Sequence, residues 1–264
     1  MTFPPVEGGP NNTVIAVLGL GEAGGAFAAD LIAAGVTVRA YDPAVAAPDG
    51  SVPCADEADA ATGADIVLSV NSAAAATGAL RVGLGGRPRV WADLNTAAPK
   101  LKRDLAELCT GTGVAFADVA LMSPVPGKGL ATPALVSGTG SGQYTEKMNV
   151  LGGRATALDG PAGLAATRKL LRSVFYKGLA VAALEALAAA RAAGHEEWLR
   201  QNIVDELVAS DERTLARLET GTVRHALRRS HEMAAATELL EELGVPARIA
   251  AASRDWLVEL SDAH

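Results

Sequence analysis

Apolar residues fall into short, nearly unbroken runs through the first 160 positions, at 13–18, 37–41, 66–70, 90–94, 115–121, 133–136 and 154–158. Runs with so little alternation fit strands covered on both faces, as in a parallel sheet. Between them, 23–34, 100–109 and 144–151 carry helical spacing, so strand and helix alternate. Past Gly160 no strand-like run appears. Pro161 suits a helix start, and one helical pattern continues over 161–193, or about 50 Å at 1.5 Å per residue. Its later half, GLAVAALEALAAA, is apolar on nearly every face and must be buried. The remaining chain is too short to enclose it, so a second copy is the expected cover, giving a homodimer through the helical domain. From His195 onward the pattern is amphipathic helices, broken near Gly221 and at Gly244-Val245-Pro246. The organisation predicted is a flexible lead-in over 1–12, an α/β domain over 13–159 and an all-α domain over 160–264.

Composition narrows the function. The chain is 49% hydrophobic but only 4% aromatic, so Ala, Leu, Val and Gly must fill the core by close approach. A formal charge of −7 argues against nucleic-acid or membrane-surface partners, and any anionic ligand needs a local basic cluster. Cys54 and Cys109 form no metal-like or disulfide pattern, which fits a reducing cytoplasm. The start, MTFPPVEGGPNN, lacks the basic and apolar regions of a signal peptide. The nearest run to the roughly 20 apolar residues that span a bilayer, at 178–190, is interrupted by Glu185. The four histidines lack metal-ligand spacing, so no metal is expected.

The strongest chemical signal is TVIAVLGLGEAGGAFAADLIAAG, which sets GxGxxG directly after a strand and before a helix. Gly19 permits the tight turn, Gly21 lets backbone approach a pyrophosphate, and Gly24 lets the helix pack on the strand. Leu20, Glu22 and Ala23 complete the turn, and the helix N–H groups face the phosphates. The first domain therefore reads as a Rossmann domain. The next strand ends at Asp42, 18 residues past Gly24, near the spacing of a ribose-binding acid. That carboxylate favours NAD over NADP, although Arg39 could rescue NADP; the plain alternative is a turn-initiating Asp before Pro43.

At this point the chain resembles the β-hydroxyacid dehydrogenase family, which includes 3-hydroxyisobutyrate and 6-phosphogluconate dehydrogenases, over about residues 13–250. GLGEAGGAFAADL is similar to the family opening GLGxMGxxMAxNL. Asp93-Leu94-Asn95-Thr96 with Pro99 is similar to its D-x-S-T-x-x-P segment, which implies that Asn95 and Thr96 contact the cofactor, as does the loop Val70-Asn71. GPAGLAATRKLLRS places Gly160, Gly163 and Lys169 on the family pattern for a catalytic lysine. The resemblance implies that neutral Lys169 accepts a hydroxyl proton while hydride leaves for nicotinamide, and that its ammonium donates in reverse. Nearby Arg168 and Arg172 would lower its pKa toward that task. The bland alternative is a surface lysine.

Three positions depart from the family. Ser173 stands where an Asn is usual, one turn after Lys169, and offers a shorter substrate contact. In the strand corresponding to D-A-P-V-S-G-G, Met122 takes the Ser position and Ser123 is displaced by one. His231-Glu232 replaces a C-terminal Lys-Asp pair. Together they mark a divergent, phosphogluconate-dehydrogenase-like branch with a distinct C-terminal domain. Arg224, Arg228 and His231 recur at helical spacing and suit either a substrate anion or the cofactor, or a solvated face paired with Glu232 or Glu219. Trp198 and Trp256 read as core or interface. The expectation is an NAD(P)-dependent oxidoreductase acting on a small anionic hydroxy or oxo acid. Imine reductases share the architecture but commonly lack the lysine, and a non-catalytic dinucleotide sensor would bind cofactor without hydride transfer.

Overall fold

The computed structural model describes residues 13–263; the lead-in expected over 1–12 lies outside them. The chain divides into two compact units between Arg172 and Ser173.

The first unit carries β1 (Val14–Leu18), α1 (Glu22–Ala33), β2 (Thr37–Tyr41), β3 (Val52–Pro53), α2 (Glu57–Ala61) and β4 (Ile66–Ser69). It continues with α3 (Ala76–Gly83), β5 (Val90–Asp93), α4 (Pro99–Cys109), β6 (Ala115–Leu121), β7 (Pro133–Ser137), α5 (Ser141–Val150) and β8 (Arg154–Ala157). The eight strands form one sheet in the order β3-β2-β1-β4-β5-β6-β7-β8. Neighbours are parallel except β6 and β7, which a short loop with a 3₁₀ turn at Gly129–Ala131 joins as an antiparallel pair. The sequence pattern gave no sign of that reversal, because apolar runs read alike in either direction.

Alternation along β1 shows why helices cover both faces. Ile15 and Val17 pack with Phe27 and Leu31 of α1 and with Tyr144 and Met148 of α5. Ala16 and Leu18 pack the other way, with Leu80 of α3 and with Leu105 and Cys109 of α4. A doubly wound sheet puts its ligand edge at the carboxyl ends of the strands. The glycine turn after β1, Val70-Asn71 after β4, Asn95-Thr96 after β5 and Ser123 after β6 all lie on that edge.

The long helix α6 (Leu164–Ala192) begins in the first unit, and α7 (Glu196–Val208), α8 (Glu212–Arg224), α9 (Ala226–Glu242) and α10 (Arg248–Asp262) follow. The break expected at Gly221 falls instead at His225, whose φ of −118° and ψ of 26° end α8. A glycine inside a helix costs only about 1 kcal/mol, and Gly221 stays helical. Glu185 of α6 accepts the Ile249 and Ala250 N–H groups, capping α10. Among the described residues α6 alone is long and apolar enough to cross a membrane by length and composition, with mean hydropathy 1.4. Reading contiguous runs missed this, since Glu185 splits the run while Ala and Leu keep the average high. Trp198 and Trp256 are 68% and 67% exposed, which excludes the core reading within one chain.

Candidate active site

The turn after β1 has the geometry that its glycines predict. Gly19 has φ +91°, and a Cβ there would lie 2.7 Å from the Asn71 nitrogen. At Gly24 a Cβ would sit 1.8 Å from the Gly19 carbonyl oxygen, so the helix could not start at this distance from the strand. Gly21 differs: a Cβ there meets no atom within 4 Å, and the open side is where a ligand backbone would lie. No side chain caps α1. Its first-turn N–H groups are thus suited to a pyrophosphate. Leu20 is buried, Glu22 exposed and Ala23 half-buried.

Asp42 closes the turn from below. Its Oδ2 accepts the Leu20 N–H at 2.8 Å, and its Oδ1 accepts Ala44 and Val45 N–H at 2.8 and 3.0 Å. Burial pushes its carboxyl pKa up, but those three backbone N–H groups outweigh it and leave the pKa below the usual value. The turn-initiating role is therefore real, and it also ties β2 to the glycine turn. Arg39 is committed elsewhere: its guanidinium donates to Asp59 Oδ1 at 2.6 Å and to the Ala60 carbonyl at 3.2 Å. In this arrangement the guanidinium is paired with Asp59 and the backbone of α2.

Asn71 and Asn95 come together. Asn95 Nδ2 donates to Asn71 Oδ1 at 2.8 Å and to Asp93 Oδ2 at 3.0 Å, and Asn71 Oδ1 also accepts the Ser72 N–H. Asn95 is buried, so its amide shapes the loop beside half-buried Val70. Thr96 is exposed, and its Oγ1 accepts a hydrogen bond from Lys169 Nζ at 2.8 Å. The candidate catalytic lysine and the candidate nicotinamide-side threonine, 73 residues apart, are thus in direct contact.

Beneath them lies a cluster that motif reading missed. Lys102, 1% exposed, places Nζ 2.5 Å from Asp93 Oδ1 and 3.5 Å from Asp118 Oδ1. Asp118 Oδ2 accepts the Gly163 and Ala166 N–H groups at 2.9 and 3.1 Å, holding the start of α6. Helical spacing carried the signal: Lys102, Leu105 and Cys109 are the buried residues of α4. Asn95, Thr96, Asp118, Ala166 and Lys169 border one crevice of about 10 Å³, room for a single water. A larger cavity of about 480 Å³ opens among Thr13, Asp65, Arg89 and Lys147, at the amino ends of the strands and away from the glycine turn.

Ser123 Oγ accepts from Lys128 Nζ at 3.0 Å, adding a cation that sequence reading did not single out. Ser173 is half-buried on α6. In the second unit, the expected Arg224–Arg228–His231 face is interrupted at His225, which separates α8 from α9. Arg228 pairs with Glu232, and Arg229 donates to Thr222 Oγ1. His231 is exposed on α9. No metal-ligand cluster occurs among the described residues.

A family model for the NAD binding domain of 6-phosphogluconate dehydrogenase matches residues 14–156, and a model for a domain of unknown function (DUF1932) matches residues 190–260. No curated protein matches the sequence significantly. Among solved structures, a conserved hypothetical protein from Sinorhizobium meliloti 1021 is 30% identical with a TM-score of 0.62, covering 94% of this chain and 88% of that one. A conserved protein of unknown function, described as structurally similar to 3-hydroxyacid dehydrogenases, is 25% identical with a TM-score of 0.61 over 95% of this chain and 97% of its own. A variant imine reductase from Myxococcus stipitatus, in complex with NAD+, is 23% identical with a TM-score of 0.77 over 95% and 94%. The last likeness is one of fold.

Proposed function

Because this chain belongs to the family marked by the NAD binding domain of 6-phosphogluconate dehydrogenase, we propose that it is an NAD-dependent oxidoreductase interconverting a small hydroxy acid and its oxo acid, with Lys169 as the acid–base group. The observation that carries this reading is the 2.8 Å contact from Lys169 Nζ to Thr96 Oγ1 at the ligand edge of the sheet. Bound nicotinamide supplies the hydride acceptor. Lys169, when neutral, takes the proton of the substrate hydroxyl as the C–H hydride leaves, and its ammonium returns a proton to the carbonyl oxygen in reduction. Thr96 orients the amine. The turn at Gly19–Gly24 holds the pyrophosphate, and Asn71 and Asn95 shape the loops beside it. Ser123 with Lys128, and Ser173, are the candidate contacts to an anionic substrate.

NAD over NADP follows from Asp42, because a carboxylate facing a 2′-phosphate is unfavourable without an offsetting cation, and Arg39 is engaged with Asp59. We further read the enzyme as cytoplasmic and as a homodimer, and the exposed apolar residues of α6 support the dimer.

The test is NAD(H) turnover with a panel of hydroxy and oxo acids, run beside cyclic imines. Lys169→Met should lower turnover of the acid substrate at least about 10²-fold while leaving NAD affinity in place. Retained turnover removes Lys169 from the mechanism. Imine reduction indifferent to Lys169→Met selects the imine reductase reading, whose fold this chain shares. NAD binding by calorimetry without turnover of either panel would mark a dinucleotide sensor.

A further inference from the structure

Four adjacent strands carry polar residues at one register level. Ser69 on β4 pairs with Asp93 on β5, Asp93 with Asp118 on β6, and Asp118 with Ser137 on β7. All four are fully buried, beside positions filled by Leu, Ala and Val. Two carboxylates in such a row are strongly unfavourable without a cation. Lys102 supplies it from α4, bonding the Asp93 carboxylate and, at 2.9 Å, the Asp93 carbonyl oxygen. One cation for two carboxylates leaves a negative excess, which meets the start of α6. There Gly163 and Ala166 donate to Asp118, and Ala165 donates to Ser137 Oγ at 3.0 Å. A helix N-terminus favours an anion at this place.

Each carboxylate holds one half of the Lys169–Thr96 contact. Asp93 accepts both the backbone and side-chain N–H groups of Asn95, the residue next to Thr96. Asp118 fastens the first turn of α6, one turn before Lys169. Lys102 lies between the two carboxylates, hydrogen-bonded to Asp93 and ion-paired with Asp118 Oδ1 at 3.5 Å without a hydrogen bond, so the connections form a closed circuit. It runs from Thr96 through Asn95, Asp93, Lys102, Asp118 and α6 to Lys169, and back to Thr96. A branch runs from Asn95 to Asn71, which touches the Gly19 turn.

We propose that Lys102 is a positioning residue that sets the reach of Lys169 to Thr96 and, through Asn95 and Asn71, the floor of the glycine turn. The catalytic meaning of this rests on the reading of Lys169 as the acid–base group.

The deciding experiment reads Lys169 itself and needs no substrate. The full chain is labelled with trace acetic anhydride across a pH series, and modification of Lys169 is quantified by peptide mass spectrometry against exposed Lys100. In Lys102→Met and in Asp118→Asn, Lys169 should label at least about threefold faster, with a shifted pH midpoint, since half a pKa unit corresponds to that factor. Both should approach Thr96→Val, which removes the threonine hydroxyl from Lys169 without touching the buried row. NAD affinity should fall in Lys102→Met as the Asn95 loop loosens. A lower melting temperature with wild-type labelling and midpoint would reduce the row to a structural role and overturn the proposal. If Lys102→Met does not fold, the shape-conserving Asp118→Asn decides alone. Retained turnover in Lys169→Met would defeat the acid–base reading separately, while the labelling still decides the positioning.

Discussion

A methyl group added at Gly24 would sit 1.8 Å from a backbone oxygen, whereas one added at Gly21 meets no atom within 4 Å. The two substitutions should therefore separate folding from binding. Gly21→Ala is expected to melt like the wild type yet lose NAD affinity, measured by calorimetry, because the methyl occupies the pyrophosphate's approach. Gly24→Ala should lower the melting temperature as well. Equal melting losses in both would mean that Gly21 serves the turn and not the ligand. Asp42 adds a pH-dependent term at the same turn. Its folded pKa is depressed below 3.8 as backbone hydrogen bonds overcome burial. Its stabilisation is thus present above pH 3.8 and lost as pH falls through the folded value. The stability gap between wild type and Asp42→Asn should be open at neutral pH and close in acid below 3.8, followed by denaturant titration. A gap independent of pH would show that the carboxylate charge contributes nothing there.

Helix ends reveal what pattern reading captures and what it leaves out. Glu185, the residue that interrupts the apolar run in sequence, receives the first-turn N–H groups of α10. Replacing a cap costs typically about 1 kcal/mol, so Glu185→Ala should lower the melting temperature by a few degrees, and Glu185→Gln, which keeps an acceptor oxygen, should recover part of it. No change in Glu185→Ala would mean that water caps α10 equally well. The seven long strands, α1, α4 and the extent of α6 were legible because their apolar runs exceed a few residues. Three elements were not: β3 has two residues, α2 has five, and α3 has only eight, two of them glycine. At the site, Gly19, Gly21, Gly24, Asp42, Asn95, Thr96 and Lys169 were all visible as motif positions. The buried row was not, because its register across four strands exists only once the sheet forms. Lys102 looked like one of several lysines and arginines on α4, although its place on the face of Leu105 and Cys109 marked it.

Over the whole molecule, the unexplained quantity is the apolar surface of α6. Leu171, Val174 and Leu184 are 65%, 75% and 67% exposed. Leu171, Val174, Gly178 and Val181 recur at three- and four-residue spacing, and a Cβ at Gly178 would meet nothing within 4 Å. Burying each Leu or Val contributes roughly 1.5–3 kcal/mol, against a net stability of about 5–15 kcal/mol for a typical domain, so leaving this stripe in water is costly. A bilayer is a poor cover, since Arg168, Lys169, Arg172 and Lys177 crowd the first half of the helix, and charges are expensive inside a membrane. A second copy across a two-fold axis presents the same stripe to itself, with Gly178 allowing close approach. Light scattering at micromolar concentration should give twice the chain mass, and Val174→Glu, which places a charge on the stripe, should give a monomer or aggregate. Retention of the wild type on lipid vesicles would point to a bilayer instead. A folded, soluble wild-type monomer at that concentration would show that this face finds no partner copy.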